Sequence, residues 1–137
     1  MFVIDASVWV SMLVEEDTFH DISLQWVTSQ VRSFSEIAEP TIAIPEIAGA
    51  VARRKGGATR GIQASSLLGN VPNLHFVAID MDLARTSARI AAAVGLRGAD
   101  AVYVALAQSL GFKLITWDNE MLEKASGVCF AAKPEFE

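Results

Sequence analysis

Short runs of β-forming apolar residues alternate with helix-length segments along this chain. That alternation confines it to an α/β layer fold with a mainly parallel central sheet flanked by helices. Strands are read at residues 1–4, 41–44, 74–79, 113–117 and 128–131, and helices at 7–16, 19–34, 45–55, 58–68, 81–94, 99–110 and 120–125. Punctuation supports the pattern. Pro45 suits a first helical position, Gly56-Gly57 stops the helix it starts, and Gly69, Gly95 and Gly111 follow later helix ends. The 137 residues fit one domain, 1–137, without repeat or linker. Gly56-Gly57-Ala58 is the most flexible-looking joint, too short to divide domains.

Composition excludes several classes. At 52% hydrophobic residues the chain is not disordered, yet no apolar run reaches the ~18 residues that span a membrane. Its start lacks the basic segment of a signal peptide. Cys129 is the only cysteine, which rules out an intrachain disulfide and a cysteine-rich zinc site. A cytoplasmic protein is the expectation. The net charge of −5 argues against wrapping nucleic acid through many Lys/Arg–phosphate contacts. It leaves room for a nuclease whose bound cations supply the local positive charge.

Four acids stand where apolar runs meet helices: Asp5, Glu46, Asp100 and Asp118. In open parallel sheets ligands bind beyond the carboxyl ends of the strands. Asp5 and Asp118 follow strands directly, and Glu46 and Asp100 lie in first turns of helices that point back to the same edge. Each has a plain alternative as a helix cap or a dipole-compatible first-turn acid. Asp100 resists it, because it enters a helix apolar on every side (Ala101 to Ala107), where a charge needs a partner or a metal. Glu46, between Ile44 and Ile47, is similar. Hard divalent cations such as Mg²⁺ and Mn²⁺ prefer such oxygen ligands. Asp5 and Asp100 are the best direct metal ligands, Asp118 completes the set, and Glu46 binds through water or orients the attacking water. Ser7 and Thr116 are supporting hydroxyls, each equally explained as a cap or strand residue.

These segments together resemble the PIN-domain family, specifically VapC-like toxins of type II toxin–antitoxin modules. The resemblance rests on Val3-Ile4-Asp5-Ala6-Ser7, Ile44-Pro45-Glu46-Ile47, Arg97-Gly98-Ala99-Asp100-Ala101 and Leu114-Ile115-Thr116-Trp117-Asp118, in that order and over essentially the whole chain. It implies a single PIN domain and a Mg²⁺- or Mn²⁺-dependent endoribonuclease acting on RNA. It also implies a cognate VapB-like antitoxin and a homodimer. Asp5, Glu46, Asp100 and Asp118 fall on the family's acidic quartet. Some relatives carry a further acid just after the fourth, where this chain has Asn119 and Glu120.

Rival readings are a haloacid-dehalogenase-like phosphatase, which expects Asp where Ser7 stands, and a phosphoacceptor receiver, which expects an acidic pair where Asp5 stands alone. A nonenzymatic rival is a PIN-like RNA-binding scaffold. Arg53-Arg54-Lys55 with Arg60 forms the densest basic patch and reads first as a solvated helix end. Arg97 adjoins Asp100 and is placed to contact a substrate phosphate or balance the carboxylates. The run Val8 to Val14 is apolar around almost the whole helix, which predicts a second chain covering part of it near Trp26. His20 and His75 lack partners at metal spacing. Cys129 reads as a buried thiol in the last strand, and Trp117 as packing rather than base stacking.

Overall fold

Val3 and Ile4 are fully buried because the strand they belong to lies at the middle of the molecule. In the computed structural model, which describes residues 1–54 and 56–136, β1 (Phe2–Ile4) is the central strand of a five-stranded sheet. After it come α1 (Ala6–Leu13), α2 (His20–Arg32), β2 (Ile37–Pro40), α3 (Ala43–Arg54) and α4 (Gly57–Leu67). A 3-10 turn at Leu68–Asn70 leads to β3 (Leu74–Val77), α5 (Met81–Val94) and α6 (Gly98–Leu110). The chain ends with β4 (Lys113–Ile115), α7 (Asn119–Ala125) and β5 (Ala131–Ala132). Spatial order is β3-β2-β1-β4-β5, and every pairing is parallel. Parallel neighbours need long crossovers, which the helices supply. The chain lays β2 and β3 on one side of β1, then returns to lay β4 and β5 on the other. The order therefore reverses between β1 and β4, the place where open sheets bind ligands.

α6 lies across β1, β2 and β4, and α5 packs over α6. All residues from Ala101 to Ala107 are buried, so the helix that reads as apolar all round is the covered layer. α5 shows the complementary pattern: Leu83, Ser87 and Ile90 face inward at helical spacing while the rest is more open. Both helices stop at glycines in the left-handed region, Gly95 (φ 75°) and Gly111 (φ 68°), where a side chain would be strained.

Four expectations are corrected. The second strand is Ile37–Pro40, not 41–44, because Glu39 and Pro40, both depleted in strands, sit inside it. Consequently α3 begins at Ala43, and Pro45 stands within its first turn, where an N–H has no intrahelical partner anyway. The last strand is Ala131–Ala132, so Cys129 lies in a turn and is only half-buried. Finally, α1 finds its cover inside this chain. Val8, Trp9, Val10, Ser11 and Val14 are buried, with α1 packed on α2 and α3, and only Met12 and Leu13 are partly open. Trp26 is likewise buried, edge-on to Phe2 at 5.2 Å. The apolar character of this helix thus requires no second chain. Lys55, part of the basic patch, and Glu137 lie outside the described residues, among which no single helix is long and apolar enough to cross a membrane.

Candidate functional site

The end of β1 delivers Asp5 to the switch point. Its backbone N–H continues the β1–β4 pairing to the Ile115 carbonyl at 2.8 Å. Its extended backbone makes it the N-cap of α1. Every side-chain hydrogen bond it accepts goes to one oxygen, Oδ2: from Ser7 Oγ at 2.6 Å, Thr116 Oγ1 at 2.8 Å and Ser7 N–H at 3.3 Å. The same two hydroxyls bind the loop after β4. Thr116 Oγ1 accepts the Asp118 N–H at 3.0 Å, and Ser7 Oγ accepts the Trp117 N–H at 3.1 Å. Asp118 then caps α7, with Oδ1 accepting the Glu120 and Met121 N–H groups at 2.8 and 3.1 Å. Capping and site formation are therefore not alternatives here: one carboxylate oxygen caps and the other remains.

Glu46 comes from the first turn of α3. Its Oε1 accepts the hydroxyl of Tyr103, a fully buried residue of α6, at 2.7 Å. Asp100, in the first turn of α6, makes no hydrogen bond or ion pair among the described residues. Arg97 is exposed at the N-cap of α6, and Asn119 is exposed at the start of α7 without a side-chain hydrogen bond among the described residues.

The electrostatics tie these acids into one group. Asp100 is pushed up to about 6 by burial, then by the charges of Asp5, Asp118 and Glu46, and the Arg97 guanidinium offsets part of this. Burial also raises Asp5, outweighing the hydrogen bonds from Ser7 and Thr116, with the Asp118 charge acting in the same direction. Glu46 is raised by burial against the Tyr103 hydrogen bond, with Asp5 adding to the rise. Mutual repulsion of this kind is relieved by a shared cation.

Among the described residues, no three acids, histidines or cysteines form a ready-made metal cage. The donor set nevertheless fits a hard divalent cation. Among the described residues Asp5 Oδ1, Asp118 Oδ2 and Glu46 Oε2 make no hydrogen bond, while each partner oxygen is anchored to protein. A group of half-anchored carboxylates keeps its remaining lone pairs for an added ligand.

Three participants escaped the sequence reading. Tyr103 was only one residue of an apolar helix, though a buried tyrosine ordinarily requires a hydroxyl partner. Phe19 stacks on Trp117 with ring centroids 4.0 Å apart and planes 8° from parallel, and the Trp117 indole N–H bonds Ser23 Oγ at 2.8 Å. Phe19 and Ile22 are exposed, while Ser23, Trp26 and Val27 are buried. The third is Glu39, wholly buried in β2. The glutamate-proline pair inside an apolar stretch was its available signal.

A family model for the PIN domain matches residues 2–127. No curated protein matches significantly. Among solved structures, the chain is similar to VapC20 of Mycobacterium tuberculosis, a sarcin–ricin-loop-cleaving toxin, at 16% identity and TM-score 0.78, covering 93% of this chain and 96% of that one. It is similar to a toxin–antitoxin complex from Klebsiella pneumoniae (18% identity, TM-score 0.68, 98% of each chain). It is also similar to the FitAcB structure from Neisseria gonorrhoeae (19%, TM-score 0.72, 98% of each chain). At these identities the likeness is one of fold.

Proposed function

The chain belongs to the PIN-domain family, and on that premise we propose that it is a metal-dependent endoribonuclease toxin restrained by a cognate antitoxin. The observation that carries this reading is the division of labour within the carboxylates. Among the described residues, Asp5, Glu46 and Asp118 each fix one oxygen to the protein and leave the other unbonded, around an Asp100 that has no bonded partner there. Asp5, Asp100 and Asp118 would hold Mg²⁺ or Mn²⁺, and Glu46 would take a water. When bound, such a cation lowers the pKa of water and stabilises charge on phosphodiester oxygens.

The chain's own residues do the rest. Ser7 and Thr116 hold Asp5 in one orientation and bind the Asp118 loop to it. Tyr103 sets the Glu46 carboxylate, leaving its free oxygen to orient a nucleophilic water. Arg97, exposed at the N-cap of the helix that carries Asp100, would meet an RNA phosphate. Asn119, exposed at the start of α7, would add a further polar contact. No side chain needs to act as a nucleophile.

A groove of about 710 Å³ runs from Glu46, Ser7 and Asp118 past Val10, Ile42 and Phe19 to Arg53. It supports both proposed partners, the RNA strand and an antitoxin segment that blocks it. A homodimer is carried over from the family resemblance. The scaffold reading is favoured by the lack of a ready-made cage among the described residues. Calorimetric titration with Mn²⁺ separates the two, since a scaffold has no need to bind it. The decisive experiment is metal-dependent cleavage of total cellular RNA by wild type and Asp100→Asn. Cleavage retained by a folded, contaminant-free Asp100→Asn protein sinks the proposal.

A further inference from the structure

Glu39 is a buried acid that the proposed chemistry does not use. β1 and β2 pair in the register Phe2↔Ile37, and the Phe2 N–H reaches the Glu36 carbonyl at 2.9 Å. Continued by two residues, a parallel ladder would direct the Ile4 N–H to the Ala38 carbonyl and an N–H of residue 40 to the Ile4 carbonyl. Residue 40 is proline and has no N–H to give. The Ile4 N–H goes instead to Glu39 Oε1 at 2.9 Å. Pairing of β1 with β2 therefore ends after Phe2, whereas pairing with β4 runs on through Ile4↔Ile115.

This arrangement is costly. Glu39 is 0% exposed, and burial favours its neutral form, with the nearby Asp5 charge adding to that. The Trp9 indole lies beside the carboxyl and favours its ionised form. Yet among the described residues neither Trp9 Nε1 nor Glu39 Oε2 reaches a partner in full hydrogen-bond geometry, although both are buried. Poorly paired buried polar groups call for an explanation. Mere pairing of the Ile4 N–H is not a sufficient one, because the Ala38 carbonyl of an ordinary ladder would serve without burying a carboxyl. What the substitution changes is the course of β1 immediately before Asp5.

We propose that Glu39 is a positioning residue for the acidic site: by taking the Ile4 N–H it keeps the carboxyl end of β1 out of the β2 ladder and sets Asp5 against Ser7 and Thr116. The cation-binding consequence rests on the function proposed above; the placement of Asp5 does not. Pro40 and Glu39 act together, one removing a ladder donor and the other accepting the donor left over. Asp5 is then held from two sides, by the Ile115 carbonyl through β4 and by Glu39 through Ile4.

The test uses the full chain with Glu39→Met, Glu39→Gln and Glu39→Asp. Mn²⁺ affinity is read by calorimetry. The Ile4 amide and the Asp5 carboxyl carbon are read by NMR. Glu39→Met fills the space without an acceptor, and Glu39→Asp keeps the acid but shortens its reach, so one stands in if the other does not fold. Either is expected to lose about tenfold in Mn²⁺ affinity, the scale of effects from groups that orient metal ligands. Each should also shift the Ile4 amide and Asp5 carboxyl signals. Glu39→Gln retains the accepting oxygen and is expected to bind within about threefold of wild type, well below that scale of loss. A folded Met or Asp variant with wild-type Mn²⁺ affinity and an unshifted Asp5 signal overturns the inference. So does a Gln variant that loses as much as Met. If wild type binds no Mn²⁺, the proposed function falls, and the Asp5 signal alone decides the role of Glu39: shifted in Met or Asp but not in Gln, it upholds the role; otherwise it overturns it.

Discussion

The two sides of Asp5 are built on different terms. Towards β4 the ladder is continuous to Ile4↔Ile115, the Asp5 N–H extends it, and the Ser7 and Thr116 hydroxyls join Asp5 to the Trp117–Asp118 loop. Towards β2 the ladder stops early, and the space holds Glu39, Trp9, Tyr103 and Glu46, with Trp9 Nε1 and Glu39 Oε2 short of full hydrogen-bond geometry among the described residues. The satisfied side contributes rigidity. The unsatisfied side carries a stability cost in charge that accumulates without compensation. Sites are expected to break local rules where function needs it, and here the breakage is confined to one side of one strand.

That contrast can be broken by experiment. The largest expected effect is on cleavage: Asp100→Asn, which removes a charge repelled by Asp5, Asp118 and Glu46, should reduce metal-dependent RNA cleavage about a hundredfold or more while leaving the unfolding midpoint unchanged or higher. Thr116→Val should lower stability as well as cleavage. Thr116 is 0% exposed and serves both Asp5 and the Asp118 N–H, so its loss should cost about 1–3 kcal/mol in urea unfolding. Tyr103→Phe removes one hydrogen bond to Glu46 and should cost about 1 kcal/mol or less, with a clearer loss of Mn²⁺ affinity than of stability. If Tyr103→Phe destabilises more than Thr116→Val, the distinction between the sides is wrong.

A smaller effect is read through pH. Asp100 is raised from 3.8 to about 6, so between those values the folded state holds a proton that the unfolded state has released. Stability of the metal-free protein should therefore fall as pH rises from about 4 to 6, and Asp100→Asn should flatten that part of the curve. Mn²⁺ competes with the same proton, so its apparent affinity should rise over this interval and level above it. Unfolding midpoints and calorimetry across pH check both. Away from the acids, Phe19→Leu gives up the stack on Trp117 and should cost roughly 0.5–1.5 kcal/mol beyond the area lost, with cleavage little changed.

Legibility followed the range of the forces involved. The α5 helix at Met81–Val94 was readable to its ends, because Asp80 caps it through the Leu83 N–H and Gly95 turns the chain out of it. Asp5, Glu46, Asp100 and Asp118 were readable as a group because each stands at a strand or helix end. β2 was not readable, since Glu39 and Pro40 contradict strand propensity and are accommodated only by what lies beside them. Nor was the fate of α1: an all-apolar helix looks the same whether its own chain or another covers it, and here its own chain does.

By itself, then, the sequence determined the α/β class, the positions of the main helices and the set of acids at the sheet edge. Periodicity, caps and glycine stops act within a few residues and leave a local record. Only the tertiary structure decided which oxygen of each acid is free, that Tyr103 holds Glu46, and that Glu39 reaches the Ile4 N–H across 35 positions of chain. Those outcomes depend on which groups burial brings within hydrogen-bond distance. That is a property of the packed sheet and of the helix laid across it, and no local pattern encodes it.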